Sequence, residues 1–154
     1  MKQKLLAMLM AVALCATCIC SADFEAKAQN VGENISFSEL ITENALVGVM
    51  ESQTWGVYLL DGYSIINKIS STKIGAGGTT TAAKKCKVTT SAIVERLSGG
   101  SWLRVTSWTT TVESGFSASV SKSLTVTTGY NYRVRCLHYA GTDYSSSCTS
   151  NLYM

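Results

Sequence analysis

The sequence predicts an all-β domain, an antiparallel β-sandwich, set behind an N-terminal leader. Three observations carry that prediction. From Gln29 onward, 36 of 126 residues are Ser or Thr. β-Branched and aromatic residues fill short segments bounded by tight-turn signals, which is the pattern of half-buried strands. No long helical periodicity lies between those segments, so a parallel α/β sheet is excluded. No repeat of 20–50 residues supports a solenoid or propeller, and a chain without proline is not collagen-like.

Residues 1–28 read as a secretory signal peptide. Lys2 and Lys4 give a positive start, an apolar run covers residues 5–20, and a polar stretch leads to Ala26-Lys27-Ala28. Cleavage is placed after Ala28, with Ala22 as second choice. The run is shorter than the roughly 20 apolar residues of a spanning helix, and an uncleaved N-terminal anchor is the alternative. Leu14, Thr17 and Ile19 precede Cys15, Cys18 and Cys20, where lipoprotein processing would need a small residue. The expected destination is extracellular or cell-surface, with no stable membrane span after cleavage.

Residues 29–53 form a polar, acidic extension. Phe37, Leu40, Ile41 and Ala45 share a helical spacing, but Thr42 and Asn44 are poor helix formers, so partial order with one helical turn is expected. Residues 54–154 are the sandwich domain. Its strands are expected at 55–60, 63–69, 72–77, 86–97, 102–109, 118–126, 130–139 and 147–153. The turn signals between them are Asp61-Gly62, Gly77-Gly78, Ser98-Gly99-Gly100-Ser101, Glu113-Ser114-Gly115, Thr128-Gly129 and Gly141-Thr142-Asp143. Alternation places Tyr130, Tyr132, Val134, Cys136 and His138 on one face, with Arg133 and Arg135 on the other. It also places Trp102, Arg104, Thr106 and Trp108 together.

Two resemblances follow from these residues. Gly129-Tyr130-Asn131-Tyr132-Arg133-Val134-Arg135-Cys136 resembles the penultimate strand of immunoglobulin and fibronectin type III sandwiches. The resemblance implies that the Tyr132 hydroxyl anchors a corner. The corner tyrosine of antibody domains lies two residues before Cys, whereas Tyr132 lies four before Cys136, so it extends to architecture only. From Val57 to the C-terminus, the chain also resembles small secreted all-β proteins of unknown function from Gram-positive bacteria. The carrying residues are Val57-Tyr58-Leu59-Leu60-Asp61-Gly62-Tyr63-Ser64, Ala83-Lys84-Lys85, Glu95-Arg96-Leu97, Ser101-Trp102, Ser107-Trp108, and Ser121-Lys122-Ser123-Leu124-Thr125-Val126 with the string after Gly129. That likeness implies export and a β domain, and supplies no activity.

Material for catalysis is scarce. His138 is the one imidazole in the chain, so any Ser-His-Asp or Cys-His arrangement must use it. It stands near Asp143, yet a structural histidine is the expected role. Cys86, Cys136, His138 and Cys148 barely supply a zinc set, and export favours a disulfide. A hairpin centred on Thr142 would set Cys136 opposite Cys148, with Cys86 as alternative partner. Gly75-Ala76-Gly77-Gly78-Thr79 lacks the lysine and helix of a phosphate loop and reads as a turn. No catalytic residue, metal or cofactor is expected.

The surface offers more than the chemistry does. Residues 29–67 hold five acids and no base, whereas residues 68–154 hold ten bases and three acids. Arg133, Arg135, Lys85 and Lys87 are the basic candidates for binding, and Trp102 and Trp108 the aromatic ones. The expected function is that of a secreted, non-enzymatic module acting by surface or protein contact. Its expected partner is an anionic cell-wall polymer, a glycan or another secreted protein, and not nucleic acid. The alternative is a carbohydrate-binding module using Trp and Tyr stacking.

Overall fold

Alternating apolar and hydroxyl residues commit nearly every described segment to strand. The computed structural model describes residues 32–50 and 56–154. The leader with both its cleavage points, Cys15, Cys18, Cys20 and Trp55 lie outside the described residues. The strands are β1 (Glu33–Asn34), β2 (Leu46–Val49), β3 (Leu59–Lys68), β4 (Lys73–Ser98), β5 (Ser101–Thr125), β6 (Asn131–Ala140), β7 (Asp143–Cys148) and β8 (Leu152–Tyr153). One helical turn, α1 (Phe37–Leu40), precedes β2. All pairings are antiparallel, in one open sheet ordered β1-β5-β4-β3-β2, with β6 joining β4 to β7 and β8. None of the described helices is long and apolar enough to cross a membrane.

The spine is the β4–β5 hairpin, longer than any strand the turn signals predict. β4 pairs β3 through its first half, from Lys68↔Ile74 to Leu59↔Ala82, and β6 through its second, from Val88↔Ala140 to Arg96↔Tyr132. Between these halves the ladder to β5 is irregular around Cys86, and there the hairpin folds over. Thr80 and Thr90 would lie about 33 Å apart on a straight strand, yet their hydroxyls are 2.6 Å apart. The core fills the space between the facing halves: Ile66, Ile74, Ala76, Val120 and Leu124 from one side, Ala92, Val94, Trp108, Tyr132, Val134 and Cys136 from the other. A smaller cluster of Leu59, Ala82, Val88, Ala118 and Ala140 sits at the fold.

Three expected turns are therefore strand interior. Asp61-Gly62 lies inside β3, Gly77-Gly78 inside β4, and Glu113-Ser114-Gly115 inside the irregular part of β5. Close packing explains the middle one. A Cβ on Gly77 would come within 2.2 Å of the Val120 carbonyl oxygen and 3.0 Å of Leu40, and one on Gly78 within 2.5 Å of Cys136 Sγ. Gly75 and Gly77 open a groove on the outer face in which α1 seats the fully buried Leu40. A capping box between Ser36 and Glu39 starts that turn, and the Asn67 amide donates to the Glu39 and Leu40 carbonyls at its end. Two hairpin turns carry left-handed glycines, Gly99 and Gly100 between β4 and β5 and Gly141 between β6 and β7, whereas β3 turns into β4 through residues 69–72 without one.

Register corrects two further expectations. Val94 pairs Thr106 but Glu95 pairs Arg104, which leaves Val105 as the extra residue of a β-bulge. Alternation inverts across it, so Trp102 and Trp108 do not share a face: Trp108 joins the core and Trp102 lies on the outer surface beside Arg133. In the β6–β7 hairpin, Cys136 pairs Ser147 and Arg135 pairs Cys148. The loop closes on Gly141-Thr142, half a residue from the predicted centre, which moves each cross-strand partner by one and sends its side chain to the opposite face. Cys136 is accordingly buried and Cys148 exposed, and Cys86, Cys136 and Cys148 take part in no disulfide.

Candidate functional site

The outer face of the second half of the folded sheet gathers the chemistry. Arg133 and Arg135 are alternate residues of β6, so both project outward from a strand whose other face carries buried Tyr132, Val134 and Cys136. Glu95 stands directly across from Arg133 on β4. Its carboxylate accepts from Arg133 Nε at 2.7 Å through Oε2, and from Arg135 Nε at 3.2 Å and Nη2 at 3.0 Å through Oε1. Glu95 is only 6% exposed, while the Arg133 and Arg135 side chains remain 26% and 40% exposed. One shielded carboxylate thus orders two guanidiniums and leaves one positive charge uncompensated. Nη donors of both arginines remain for an incoming anion.

Trp102 supports the arrangement from below. The Arg133 Cζ lies 4.2 Å from its ring centroid, a cation–π contact that fixes the plane of the guanidinium. A cleft of about 250 Å³ opens beside the pair, lined by Val49, Arg133, Arg135, Ser146, Ser147 and Cys148. On the β4–β5 ladder, cross-strand hydroxyls pair at Ser91–Thr109 (2.6 Å) and Thr89–Thr111 (2.9 Å), giving a polar strip.

The other basic candidates lie elsewhere. Lys85 is exposed at the fold of β4, and Lys87 beside it pairs Glu113 at 3.0 Å. Seven ladder positions separate Val88↔Ala140 from Glu95↔Arg133, about 23 Å along the strands, so the lysines and arginines form separate patches. Trp108 is 8% exposed and belongs to the core.

His138 is fully buried. The Thr90 hydroxyl reaches the Ala118 carbonyl at 2.7 Å, the Thr80 hydroxyl reaches the Thr89 carbonyl at 3.2 Å and the two hydroxyls are 2.6 Å apart, so both protons have acceptors among these oxygens. Thr80 then accepts from His138 Nδ1–H at 2.8 Å, and Nε2 accepts from the Ser147 hydroxyl, also at 2.8 Å. The imidazole is thereby held neutral in one tautomer. Burial pushes its pKa down to about 4, against a smaller opposing effect of Asp61. The Ser147–His138 distance suits a nucleophile and its base, but the serine is 2% exposed and the ring too weak a base for that work at neutral pH. Asp143 turns away from His138. Its carboxylate accepts from the Tyr58 and Leu59 amides, which hold its pKa below the usual carboxylate range.

Glu95 is the site residue that sequence reasoning missed. The available signal was one acid inside the apolar run Ile93-Val94-Glu95, with no other acid between Asp61 and Glu113. Val49 and Ser146 enter the cleft only through long-range packing and leave no local trace. Groups of three or more metal-ligating side chains are absent among the described residues. Compared with family models, with curated proteins and with solved structures, the chain matches none.

Proposed function

We propose that this chain is a secreted, non-enzymatic β-sandwich module that works by surface contact, with Arg133 and Arg135 as its contact for an anionic partner. The observation that carries the reading is the uneven stoichiometry of the cluster: two guanidiniums on one buried carboxylate. A phosphodiester or carboxylate repeat would complete the charge balance and use the outward Nη donors. Anionic cell-wall polymer is the partner of that chemistry, and the leader-like N-terminal sequence would bring the protein to it. The sandwich reading, of immunoglobulin/fibronectin III-like kind, draws support from the facing halves of the sheet. It also draws on the Tyr132 hydroxyl, which donates to the Thr127 carbonyl at 2.7 Å and ties the start of β6 to the preceding loop.

Co-sedimentation with isolated Gram-positive cell walls tests the reading. Binding should fall at least fivefold between 50 and 300 mM NaCl, and by a similar factor in an R133Q/R135Q double variant. Binding indifferent to both salt and the double substitution would sink it. Glycan binding, the second reading, loses its Trp102–Trp108 platform to the bulge.

A further inference from the structure

Register lines up four side chains in one row across the outer face. Tyr144 of β7 pairs Tyr139 of β6, Tyr139 pairs Thr89 of β4, and Thr89 pairs Thr111 of β5. Residues opposite one another on a ladder share a face, and alternation along β6 puts Tyr139 on the face of Arg133 and Arg135. Tyr139 and Tyr144 are 42% and 79% exposed. Their ring centroids lie 6.4 Å apart with planes 30° from parallel, so the pair forms one broad aromatic surface open to water. Four residues of β6 separate Tyr139 from Arg135, about 13 Å along the strand. Between them Leu137, half-buried, pairs the exposed Ser146 on one side and Ser91 on the other. Beside this track run the Ser91–Thr109 and Thr89–Thr111 hydroxyl pairs. One hydroxyl of each pair donates to the other, which leaves the second proton for a ligand.

The two ends of the track select different groups. The guanidinium pair, with one charge left over by Glu95, takes an anion. The tyrosine pair takes a ring with an apolar face and polar edges. A polyphosphate would leave the tyrosine rings unused, and a neutral glycan would leave the guanidinium charge unused. An acidic protein surface would strip water from the hydroxyls between the two ends. A polymer of acidic sugars meets all three demands, with C–H faces for the rings, hydroxyls for the strip and carboxylates for the arginines. We infer that one chain of an acidic polysaccharide lies along β6, with a sugar ring on Tyr139 and Tyr144 and a carboxylate on Arg133 and Arg135. The inference rests on the reading of the arginine pair as an anion contact and narrows the partner within it.

Calorimetric titration of the chain tests it, with hexagalacturonate as probe. Binding should be saturable and at least tenfold tighter than that of digalacturonate, which is too short to reach from the tyrosines to the arginines. A Y139S/Y144S variant, altered only at exposed positions, should bind the hexamer no better than the dimer. Arg135→Gln, which leaves Glu95 paired with Arg133, should weaken the hexamer at least fivefold. Hexaglutamate and galactohexaose should each bind at least tenfold more weakly than hexagalacturonate. Hexaglutamate binding as tightly, or Y139S/Y144S binding the hexamer unchanged while Arg135→Gln weakens it, would overturn the polysaccharide and leave the arginine contact standing. Galactohexaose binding as tightly, with Arg135→Gln without effect, would overturn both. Failure of hexagalacturonate to bind would overturn the inference alone, since co-sedimentation with cell walls reports on the arginine contact separately.

Discussion

A single carboxylate, Glu95, decides the character of the outer face. Without it, two guanidiniums on alternate residues of one strand would repel each other beside a tryptophan ring. Glu95→Gln is therefore expected to destabilise the chain by about 1–2 kcal/mol. That is less than the loss of a fully buried partner, because both arginines keep access to water. The midpoint of urea unfolding measures it, and an unchanged midpoint would show that the cluster contributes no stability.

The thiols divide just as sharply. Burial raises the pKa of Cys136, with the neighbouring Cys148 acting in the same direction, whereas Cys148 lies at the surface. Iodoacetamide should label Cys148 under native conditions and reach Cys136 only in denaturant, with no reductant needed, as intact mass and peptide mapping would report. A bridge between Cys136 and Cys148 in those peptides would contradict the β6–β7 register.

At the scale of elements, glycine has two different jobs. In β4, Gly77 lies where the Val120 carbonyl would meet any side chain, so Gly77→Ala forces backbone apart and should lose about 2–3 kcal/mol. In the β4–β5 turn, Gly99 has open space around it but a left-handed φ of 58°. Gly99→Ala should lose only about 1–2 kcal/mol, through strain alone. Thermal unfolding of the two variants side by side checks the order, and a reversal would mean that turn strain outweighs packing in this hairpin. Sequence reading could not separate these glycines, since both stand in Gly-Gly pairs between β-forming segments. The β6 strand was legible because its alternation is unbroken. The faces of β5 were not, because the bulge at Val105 inverts alternation partway along and depends on its pairing with β4.

For the molecule as a whole, the stretch that reads as a separate acidic extension is woven into the basic body. β1 pairs β5, β2 pairs β3, and Glu33 bonds Lys73 at 2.6 Å. The folded halves also bury an imidazole between them, with a consequence for pH. Histidine has a pKa near 6.5 in the unfolded chain and about 4 at His138 in the fold, so folding favours the neutral ring. Its contribution is fully present above pH 6.5 and is lost as pH falls through 4, by up to about 3 kcal/mol. Urea midpoints between pH 7 and 5.5, above the unfolded carboxylate pKa near 4.5 at which Glu33, Glu39 and Asp143 begin to cost stability, should fall in the native chain and stay level in His138→Gln. Equal slopes in both would place the acid sensitivity elsewhere.

By itself, the sequence determined the β class, the hairpin turns at Gly99-Gly100 and Gly141-Thr142, the inward face of β6 and the outward pair of arginines. These depend on backbone preference and period-two alternation within a few residues of one another. Only the tertiary structure decided that β4 and β5 each run through both halves of the sheet, that Cys136 and Cys148 face apart, and that Glu95 lies between Arg133 and Arg135. Those outcomes turn on register, a bulge and the close approach of backbones far apart in the chain, where one residue of slip exchanges core for surface.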